Sequence, residues 1–407
     1  MRPYWTGLML ALVLSFLFVP AVPVQASSGP QITGKSAIMI DAQNGQVLYA
    51  KNPDAHMFPA STTKILTAVI ALERGKLSDQ VTVPREAVTA GGSAIGLQEG
   101  ERLTLKDLLY AMLLSSANDA AVTIADHIAG SVPGFAALMN EKARQIGARE
   151  SHFVNPDGMP DPQHFTTARD LAVITRYAMQ NAEFRKIVDT SHRNISRADA
   201  DRSKGPPQEY LWNHNKLLHL YDGTIGVKPG YTVEAGQCLA AAAQRNGREL
   251  ITVVLDSQGA AIYSDTEALF NYGFSSFQLK QLAGRGQRIT SLSVPYGAGP
   301  APVLTAAPFY YDFPAGGQEQ GQVEQKVVME QNMQAPLAAG QKVGQLIFLA
   351  HGRELGRVDL VTGQAVNRRV ETRWPVWAAG TAIVLLVLRL RVLGRRRSRV
   401  RLPRYLR

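Results

Sequence analysis

Apolar and polar residues alternate in two stretches of the chain, and each stretch is interrupted by an Asn-Gly pair. Residues 36–51 contain Asn44-Gly45 near their middle. Residues 236–244 and 248–256 flank Asn246-Gly247 in the same way. Asn-Gly between two apolar runs is the strongest short signal for a β-hairpin, because both residues tolerate the positive φ of a tight turn. The pattern therefore predicts two hairpins.

Between the predicted hairpins, apolar residues recur at intervals of three and four. Leu103–Ala129 and Phe135–Ile146 show this spacing, which predicts helices that each bury one apolar face. Strands at both ends with helices between them predict an α+β fold, in which one antiparallel sheet packs against a helical region.

The pattern changes in the last third of the chain, where short alternating runs are separated by Gly, Pro and Gln. Ile289–Val294 and Val343–Leu349 are two of these runs, and they predict half-buried strands. We therefore predict a small all-β domain over residues 279–370, following a first domain over residues 27–278. No metal or nucleophile signature occurs in the small domain. We interpret it as a spacer that holds the first domain off a membrane.

The first 26 residues have the order of a secretory signal peptide. Arg2 is followed by an apolar run, Leu8–Val19, and then by small residues that end at Ala26. Residues 1–26 are therefore predicted to direct export and to be cleaved. A retained anchor helix is the alternative, and in either case the body is exported.

A second apolar segment, residues 374–393, predicts a transmembrane helix if Arg389 and Arg391 extend their charges to the headgroups. Residues 394–407 follow it as a basic tail. Cytoplasmic flanks of membrane helices collect Lys and Arg, so we expect the tail inside and the body outside. An amphipathic helix that lies on the bilayer is the competing interpretation.

The chain has 407 residues and a formal net charge of +10. Such a charge suggests nucleic-acid binding, but it is confined to the two ends of the chain. Nine arginines lie in residues 389–407 and one more is Arg2, so the body between the two ends is neutral. A neutral body has no phosphate-binding face, and we expect no nucleic-acid partner. The single cysteine, Cys238, excludes an internal disulfide and a cysteine-based zinc site.

A candidate nucleophile precedes one predicted helix. The sequence Pro59-Ala60-Ser61-Thr62-Thr63-Lys64 leads into an apolar run, residues 65–72. Residues three apart share a helix face, so Ser61 and Lys64 are predicted neighbours. A serine hydroxyl is a weak nucleophile until a base takes its proton. A lysine can be that base when burial or nearby cations keep it partly neutral. An N-cap serine beside an incidental lysine is the alternative.

Two further motifs follow along the chain. Ser116-Ala117-Asn118 comes after the helical run that ends at Leu114, and it can present a hydroxyl and an amide from one loop. Lys228-Pro229-Gly230 precedes the second predicted hairpin, where a glycine allows another backbone to approach. Each motif alone is also compatible with an ordinary turn. Ser-x-x-Lys, Ser-x-Asn and Lys-x-Gly in this order, each beside the expected secondary structure, are improbable by chance.

This set of motifs resembles the D-alanyl-D-alanine carboxypeptidases, low-molecular-mass penicillin-binding proteins of serine peptidase family S11. The resemblance extends from about Lys35 to Phe274 and includes Phe153–Gly158 and Gly226–Gly236. Residues 289–360 resemble the β-rich C-terminal domain of the family. The resemblance implies a β-lactamase/transpeptidase-like fold, no metal or other cofactor, and a location at the outer face of the bacterial cytoplasmic membrane. Peptidoglycan stem peptides would be the substrates and β-lactam antibiotics the inhibitors.

The resemblance implies an acyl-enzyme mechanism with three catalytic residues. Ser61 would attack the carbonyl of the penultimate D-Ala and expel the terminal D-Ala. Lys64 would act as the general base, and Ser116 would relay a proton to the leaving amine. Water would then hydrolyse the acyl-enzyme.

The resemblance also implies substrate-binding residues, which are Asn118, Lys228, Gly230, Tyr231 and Thr232. Asn118 would position the substrate and Lys64. Lys228 would supply a positive field and help to keep Lys64 neutral. The backbone amides of Ser61 and Tyr231 would form the oxyanion hole.

Two departures from the family pattern bear on activity. The usual third motif is Lys-Thr-Gly, and Pro229 replaces the threonine, which removes a hydroxyl expected at the substrate carboxylate and one backbone N–H. A basic residue often follows the second hairpin in this family, but no Lys or Arg lies between Asp256 and Thr266. Thr232 is the residue that could compensate.

Two functions are alternatives to the carboxypeptidase. One is a weakly active or inactive cell-wall-binding protein. The other is a β-lactamase, which the extra domain and the anchor disfavour.

Overall fold

The computed structural model describes residues 29–316, 323–369 and 374–398. The strands up to residue 276 are β1 (Ser36–Asp41), β2 (Val47–Lys51), β3 (Gln80–Thr82), β4 (Arg102–Thr104), β5 (His192–Asn194), β6 (Tyr210–Trp212), β7 (Thr224–Thr232), β8 (Gly236–Arg245) and β9 (Arg248–Ser257). The helices of the same part are α1 (Lys64–Arg74), α2 (Arg85–Val88), α3 (Leu105–Leu114), α4 (Asn118–Ala129), α5 (Val132–Ile146), α6 (Ala168–Ala178), α7 (Ala182–Val188), α8 (Leu217–Leu220) and α9 (Ala261–Ser276). The predicted arrangement of strands at both ends with helices between them is confirmed.

The centre of this part is a five-stranded antiparallel sheet in the order β2-β1-β9-β8-β7. Alternate residues of its inner strands belong to different cores. Ala240 and Val253 pack with α1 and α3–α7, whereas Leu239 and Val254 pack with α9. Because both faces of the sheet are covered, β8 and β9 are apolar on both sides. Strand β7 forms one edge of the sheet, and the candidate site lies at this edge.

Both predicted hairpins are present. Asn246 and Gly247 have positive φ angles of 52° and 79°, and they connect the paired residues Arg245 and Arg248. This is the two-residue turn that Asn-Gly favours, because both of its positions require positive φ. The first hairpin has a longer turn, residues 42–46.

The predicted helical run 103–129 is two helices, α3 and α4. Leu103-Thr104 belongs to β4 and pairs with β3, and the Thr104 hydroxyl caps α3 by accepting from the Asp107 backbone N–H. The helix therefore begins two residues later than predicted. Residues 115–117 separate α3 from α4, because Ser116 has φ 62°, a left-handed conformation that an α-helix does not accommodate.

The described residues of the range 277–369 form the predicted all-β part. Its strands are β10 (Phe277–Ala283), β11 (Arg288–Leu292), β12 (Ala301–Thr305), β13 (Phe309–Pro314), β14 (Val323–Met329), β15 (Lys342–Ala350) and β16 (Arg353–Thr362). Five of them form an antiparallel sheet in the order β11-β12-β16-β15-β14, and β10 pairs with β13. They surround a separate core that includes Val303, Leu346 and Phe348. The predicted division at residues 278 and 279 lies within β10, and it stays a prediction.

Arg248 connects the two parts of the molecule. Its guanidinium forms ion pairs with Asp41 (3.1 Å) and with Asp312 of β13, and it also donates to the carbonyl oxygens of Gly273 and Phe277 (2.9 Å each). Both carboxylates are buried. Burial, together with the charge of Asp41, raises the pKa of Asp312 to about 6. One guanidinium therefore balances two buried carboxylates.

Arg248→Met is expected to lower the free energy of unfolding of the full chain by about 3–5 kcal/mol, because it leaves two buried carboxylates without a counter-charge. The loss should be larger at pH 8 than at pH 5. With its pKa raised to about 6, Asp312 destabilises the fold when ionised above that pH, and protonation relieves the cost below it. Urea unfolding at both pH values measures the effect.

The control for this prediction is Arg357→Met. Arg357 pairs with Glu354, and both side chains are exposed. Replacing Arg357 should therefore leave the urea midpoint close to that of wild type. A similar loss in both variants, or a loss in Arg248→Met that does not depend on pH, would contradict the role assigned to Arg248.

The last described element is helix α10 (Trp374–Ser398). Its segment Pro375–Arg395 has a mean hydropathy of 1.9 and is exposed throughout, so by length and composition it is able to cross a membrane. The predicted span, residues 374–393, lies within this helix, and its insertion in a membrane stays a prediction. The predicted signal peptide, residues 1–26, and residues 399–407 of the predicted tail lie outside the described residues.

Candidate active site

Ser61 lies on a 3₁₀ turn, residues 60–63, that continues directly into α1. Ala60 has φ 48°, an uncommon conformation for a residue with a β-carbon. Gly158 packs against this turn, and a β-carbon on Gly158 would lie 1.8 Å from the Ala60 carbonyl oxygen. Only glycine allows the two segments to meet. The predicted proximity of Ser61 and Lys64 is confirmed, because the Lys64 Nζ lies 3.0 Å from the Ser61 Oγ.

The Lys64 amine is buried and has three hydrogen-bond acceptors. Its Nζ donates to the Ser61 Oγ (3.0 Å), the Asn118 Oδ1 (2.7 Å) and the Asp157 carbonyl oxygen (2.7 Å). Burial lowers the pKa of Lys64 to about 8, while the charges of Asp157 and Asp119 act in the opposite direction. An amine with this pKa is neutral often enough near physiological pH to accept the proton of a neighbouring hydroxyl.

The second motif lies beside this pair. Ser116 is on the loop between α3 and α4, and it lines the same cleft as Ser61. Asn118 is the first residue of α4 and is buried behind the cleft surface. Its side chain is held at both ends, because Oδ1 accepts from Lys64 and Nδ2 donates to the Gly91 carbonyl oxygen. The fold thus brings Asn118 to Lys64 and Ser116 to the cleft.

The third motif lies on β7, which packs against the 3₁₀ turn. Gly230 is the point of closest approach, since a β-carbon there would lie 2.8 Å from the Ser61 backbone nitrogen and 3.1 Å from that of Thr62. The glycine therefore allows two backbones to meet at the nucleophile. Tyr231 follows with an exposed side chain, and Pro229 precedes with no backbone N–H to offer.

Lys228 is buried on the same strand, and no carboxylate of the described residues forms an ion pair with it. Its Nζ donates to the Pro229 carbonyl oxygen at 3.1 Å. Burial, and then the charge of Lys64, lower the pKa of Lys228 well below its usual value. Burial is the main cause that lowers the pKa of Lys64, and the part predicted for Lys228 in keeping Lys64 neutral stays a prediction.

These groups surround a cleft of about 270 Å³. Its lining residues are Ser61, Ser93, Ser116, His214, Lys228, Pro229, Gly230, Tyr231, Gln237 and Tyr263. Among the predicted site residues, Lys64 and Asn118 lie directly behind this lining. Thr232 is not among these lining residues, and its hydroxyl accepts from the Ala235 backbone N–H (3.1 Å) in the turn after β7. Its role at the substrate carboxylate stays a prediction. In the described parts of the chain, no group of three or more His, Cys, Asp or Glu side chains is placed to hold a metal ion.

Sequence reasoning missed four lining residues, Ser93, His214, Gln237 and Tyr263. They come from separate segments, and no local pattern connects Ser93, His214 or Tyr263 to the three motifs. Gln237 could have been found, because only residues 233–235 separate β7 from β8, and antiparallel pairing of two strands this close in sequence places Gln237 opposite Tyr231. Burial and the charge of Lys228 lower the pKa of His214, so this imidazole is neutral in the cleft.

A serine within hydrogen-bond distance of a buried lysine, at the edge strand of a covered antiparallel sheet, defines a serine hydrolase of the penicillin-recognising class. The chain belongs to the D-alanyl-D-alanine carboxypeptidase family, peptidase S11, whose sequence profile matches residues 23–259. The profile of the penicillin-binding protein 5 C-terminal domain matches residues 277–368. The predicted family and fold class are thereby confirmed.

Named relatives share both parts of the molecule. The D-alanyl-D-alanine carboxypeptidase DacF of Bacillus subtilis is 32% identical over 82% of this chain and 86% of the relative. The D-alanyl-D-alanine carboxypeptidase DacA of Haemophilus influenzae is 30% identical over 86% of this chain and 91% of the relative. Among solved structures, penicillin binding protein 5 from Haemophilus influenzae has a TM-score of 0.73 at 27% identity, covering 84% of this chain and 99% of that one.

Proposed function

We propose that this protein is a serine-type D-Ala-D-Ala carboxypeptidase that removes the terminal D-Ala from peptidoglycan stem pentapeptides through an acyl-enzyme on Ser61. The observation that carries the proposal is the 3.0 Å hydrogen bond between the Lys64 Nζ and the Ser61 Oγ. Membership of the D-alanyl-D-alanine carboxypeptidase family supports the reaction and the binding of penicillin. β-Lactams would acylate the same oxygen as mimics of the substrate.

Acylation begins when the neutral form of Lys64 takes the proton of Ser61. The Ser61 Oγ then adds to the carbonyl carbon of the penultimate D-Ala, and negative charge develops on the carbonyl oxygen. We assign the oxyanion hole to the backbone N–H groups of Ser61 and Tyr231. The close approach of Gly230 to the Ser61 nitrogen supports this assignment, because it brings the two backbones to one place.

Collapse of the tetrahedral intermediate breaks the peptide bond, and the leaving amine takes a proton. We assign to Ser116, which lines the cleft with Ser61, the relay of this proton from Lys64 to the leaving amine. The 2.7 Å hydrogen bond to Asn118 keeps the Lys64 amine in position throughout. Water then attacks the acyl-enzyme, and Lys64, neutral again, serves as its base. The net reaction is hydrolysis of one peptide bond.

Lys228 is the cation that we assign to the substrate's terminal carboxylate. Burial and the charge of Lys64 lower the pKa of the free amine. An anion bound beside it would favour the charged form. Binding of the substrate would therefore raise the pKa of Lys228 and favour its positive charge.

We further propose that the protein works outside the cytoplasmic membrane. Residues 1–26 would direct export, and the β-rich part, residues 279–370, would hold the catalytic part, residues 27–278, away from the bilayer. Helix α10 is compatible with an anchor over residues 374–393, and the arginines of residues 394–407 favour a cytoplasmic tail. In intact cells an added protease should cleave the body and spare a tag placed at the C-terminus.

Release of D-alanine from a peptide ending in D-Ala-D-Ala tests the reaction. The full chain is assayed in detergent, with Ser61→Ala as the control. If wild type releases D-alanine and Ser61→Ala does not, the result supports the carboxypeptidase activity. Turnover of penicillin without release from the peptide indicates a β-lactamase instead. Neither reaction, with the peptide still bound, indicates the cell-wall-binding protein that the replacement of threonine by Pro229 suggests.

The acylation rate is expected to rise with pH to a plateau above about pH 8, because Lys64 must be neutral to act as a base and its pKa is about 8. Asp157→Asn should move this rise to lower pH, since the charge of Asp157 raises the pKa of Lys64. Asparagine keeps the Oδ1 that accepts from Met159. Rate constants for labelling by a fluorescent penicillin between pH 5 and pH 10 measure both curves.

The matched control for this shift is Asp161→Asn, on the same loop. The charge of Asp161 acts on His164, so its loss should leave the acylation curve where it is in wild type. A move to higher pH in Asp157→Asn, or an equal move in both variants, would be incompatible with Lys64 as the base.

A further inference from the structure

One wall of the cleft, formed by β7 and β8, carries an amide group without a hydrogen-bond partner. Gln237 lies directly opposite Tyr231 in the strand pair, and both residues line the cleft. The Gln237 side chain is half-buried and makes no hydrogen bond within the described residues. Neither its amide nitrogen nor its amide oxygen is bonded to another group of the described residues, so both can bind a ligand in the cleft. Its position beside the nucleophile therefore points to a ligand.

Tyr263 adds a hydroxyl to the same wall. Gln237 also pairs with Ser257 at the end of β9, and from there the chain turns into α9, whose first turn contains Tyr263. Burial raises the pKa of Tyr263, so its hydroxyl stays protonated at neutral pH. The wall thus offers two neutral hydrogen-bond donors, an amide and a phenol.

An anion can accept a hydrogen bond from each of these two groups. The other positions that could serve one are limited, because Pro229 has neither a hydroxyl nor an N–H, and Thr232 is not among the lining residues of the cleft. Lys228 is the one Lys or Arg among the described lining residues. The proposed substrate brings a terminal carboxylate into this cleft, and a carboxylate that leaves water needs donors to replace it.

We propose that the Gln237 side-chain amide, with the Tyr263 hydroxyl, binds the terminal carboxylate of the substrate beside Lys228. This inference rests on the proposed function, because it takes the carboxypeptidase substrate as the ligand. Gln237 and Tyr263 determine specificity in this scheme and take no part in bond making. A peptide whose C-terminus is blocked as an amide gains little from them.

Two peptides that differ at one group test the proposal. Both end in D-Ala-D-Ala, one as the free carboxylate and the other as the carboxamide. Gln237→Ala in the full chain should lower kcat/KM for the free acid about tenfold or more, mainly through KM, because hydrogen bonds to charged groups contribute about that much. The amide should change by less than about threefold. Tyr263→Phe, which keeps the ring, should act in the same direction.

Two further variants sharpen this comparison. Gln237→Glu places a second carboxylate against that of the substrate, so its kcat/KM for the free acid should fall below that of Gln237→Ala. Gln244→Ala, an exposed glutamine on the same strand, is the matched control and should leave both peptides at wild-type rates. Equal losses for the acid and the amide in Gln237→Ala would overturn the proposal, since a purely structural role affects both.

This proposal and the proposed function fail in different ways. If wild type releases D-alanine and Ser61→Ala does not, the function stands, and the acid-to-amide comparison alone decides the role of Gln237. If wild type releases none but is acylated by penicillin, the acylation rates of penicillin and its methyl ester decide instead. A loss in Gln237→Ala that is confined to the acid supports the role, and equal losses overturn it. If wild type is neither active nor acylated, both proposals fail.

Discussion

Lys64→Met is expected to lower the rate constant for acylation of Ser61 by about 10²–10⁴-fold, the range that a positioned general base contributes. Methionine fills the buried space with an unbranched apolar chain. It can neither accept the proton of Ser61 nor donate to the Asn118 Oδ1 and the Asp157 carbonyl oxygen, as the amine does. Labelling by a fluorescent penicillin and release of D-alanine, both at pH 8, measure the loss.

Lys64→Arg separates the role of the proton acceptor from that of the positive charge. A guanidinium can donate to the same oxygens but does not give up its proton at accessible pH, so this variant should be as slow as Lys64→Met. Lys35→Met is the control, because the Lys35 side chain is exposed and pairs with Asp256. Acylation of Lys64→Arg within tenfold of wild type would show that another group takes the proton. Melting temperatures establish that each variant is folded.

The nucleophile and its base could be predicted because their relation is local. Ser61 and Lys64 are three residues apart at a helix start, and helical geometry alone brings such residues together. The burial that lowers the pKa of Lys64 could not be predicted from this local sequence. It comes from Asn118 and Asp157, which reach the amine from segments more than fifty residues away along the chain.

The cleft wall shows why the rest of the site could not be predicted. Thr232 was expected beside the substrate from the family resemblance, but the turn after β7 places it outside the residues that line the cleft. Tyr263 enters the site through the path of the chain from β9 into α9, and Ser93 and His214 come from loops distant in sequence from the three motifs. Such positions depend on register and tertiary packing, which no single segment encodes.

The fold shows the same difference between features set by local sequence and features set by distant contacts. The second hairpin was predictable because Asn246 and Gly247 alone satisfy the positive φ that its turn requires. The start of α3 was predicted two residues early, because Leu103 continues the apolar spacing of the helix while its backbone pairs with β3. Local chemistry decides a tight turn, whereas pairing with a distant strand decides where an apolar run stops being a helix.

Gly230→Ala is expected to lower the acylation rate constant by about 10²–10³-fold, which is the typical cost of losing one oxyanion-hole donor. The added β-carbon would lie 2.8 Å from the Ser61 backbone nitrogen and 3.1 Å from that of Thr62, and no flexible side-chain end is there to yield. Strand β7 must therefore move away from the turn, which separates the Ser61 and Tyr231 N–H groups. Labelling by a fluorescent penicillin measures the change.

The steric origin of this loss is tested by Gly91→Ala, whose added β-carbon would meet the Met159 side chain at an ordinary 3.6 Å. That variant should be acylated at the wild-type rate, although Gly91 also lies beside the site and accepts from Asn118. The melting temperature of Gly230→Ala should change little, because β7 is an edge strand and can shift without opening the core. Acylation of Gly230→Ala within threefold of wild type would mean that the oxyanion is held elsewhere than between Ser61 and Tyr231.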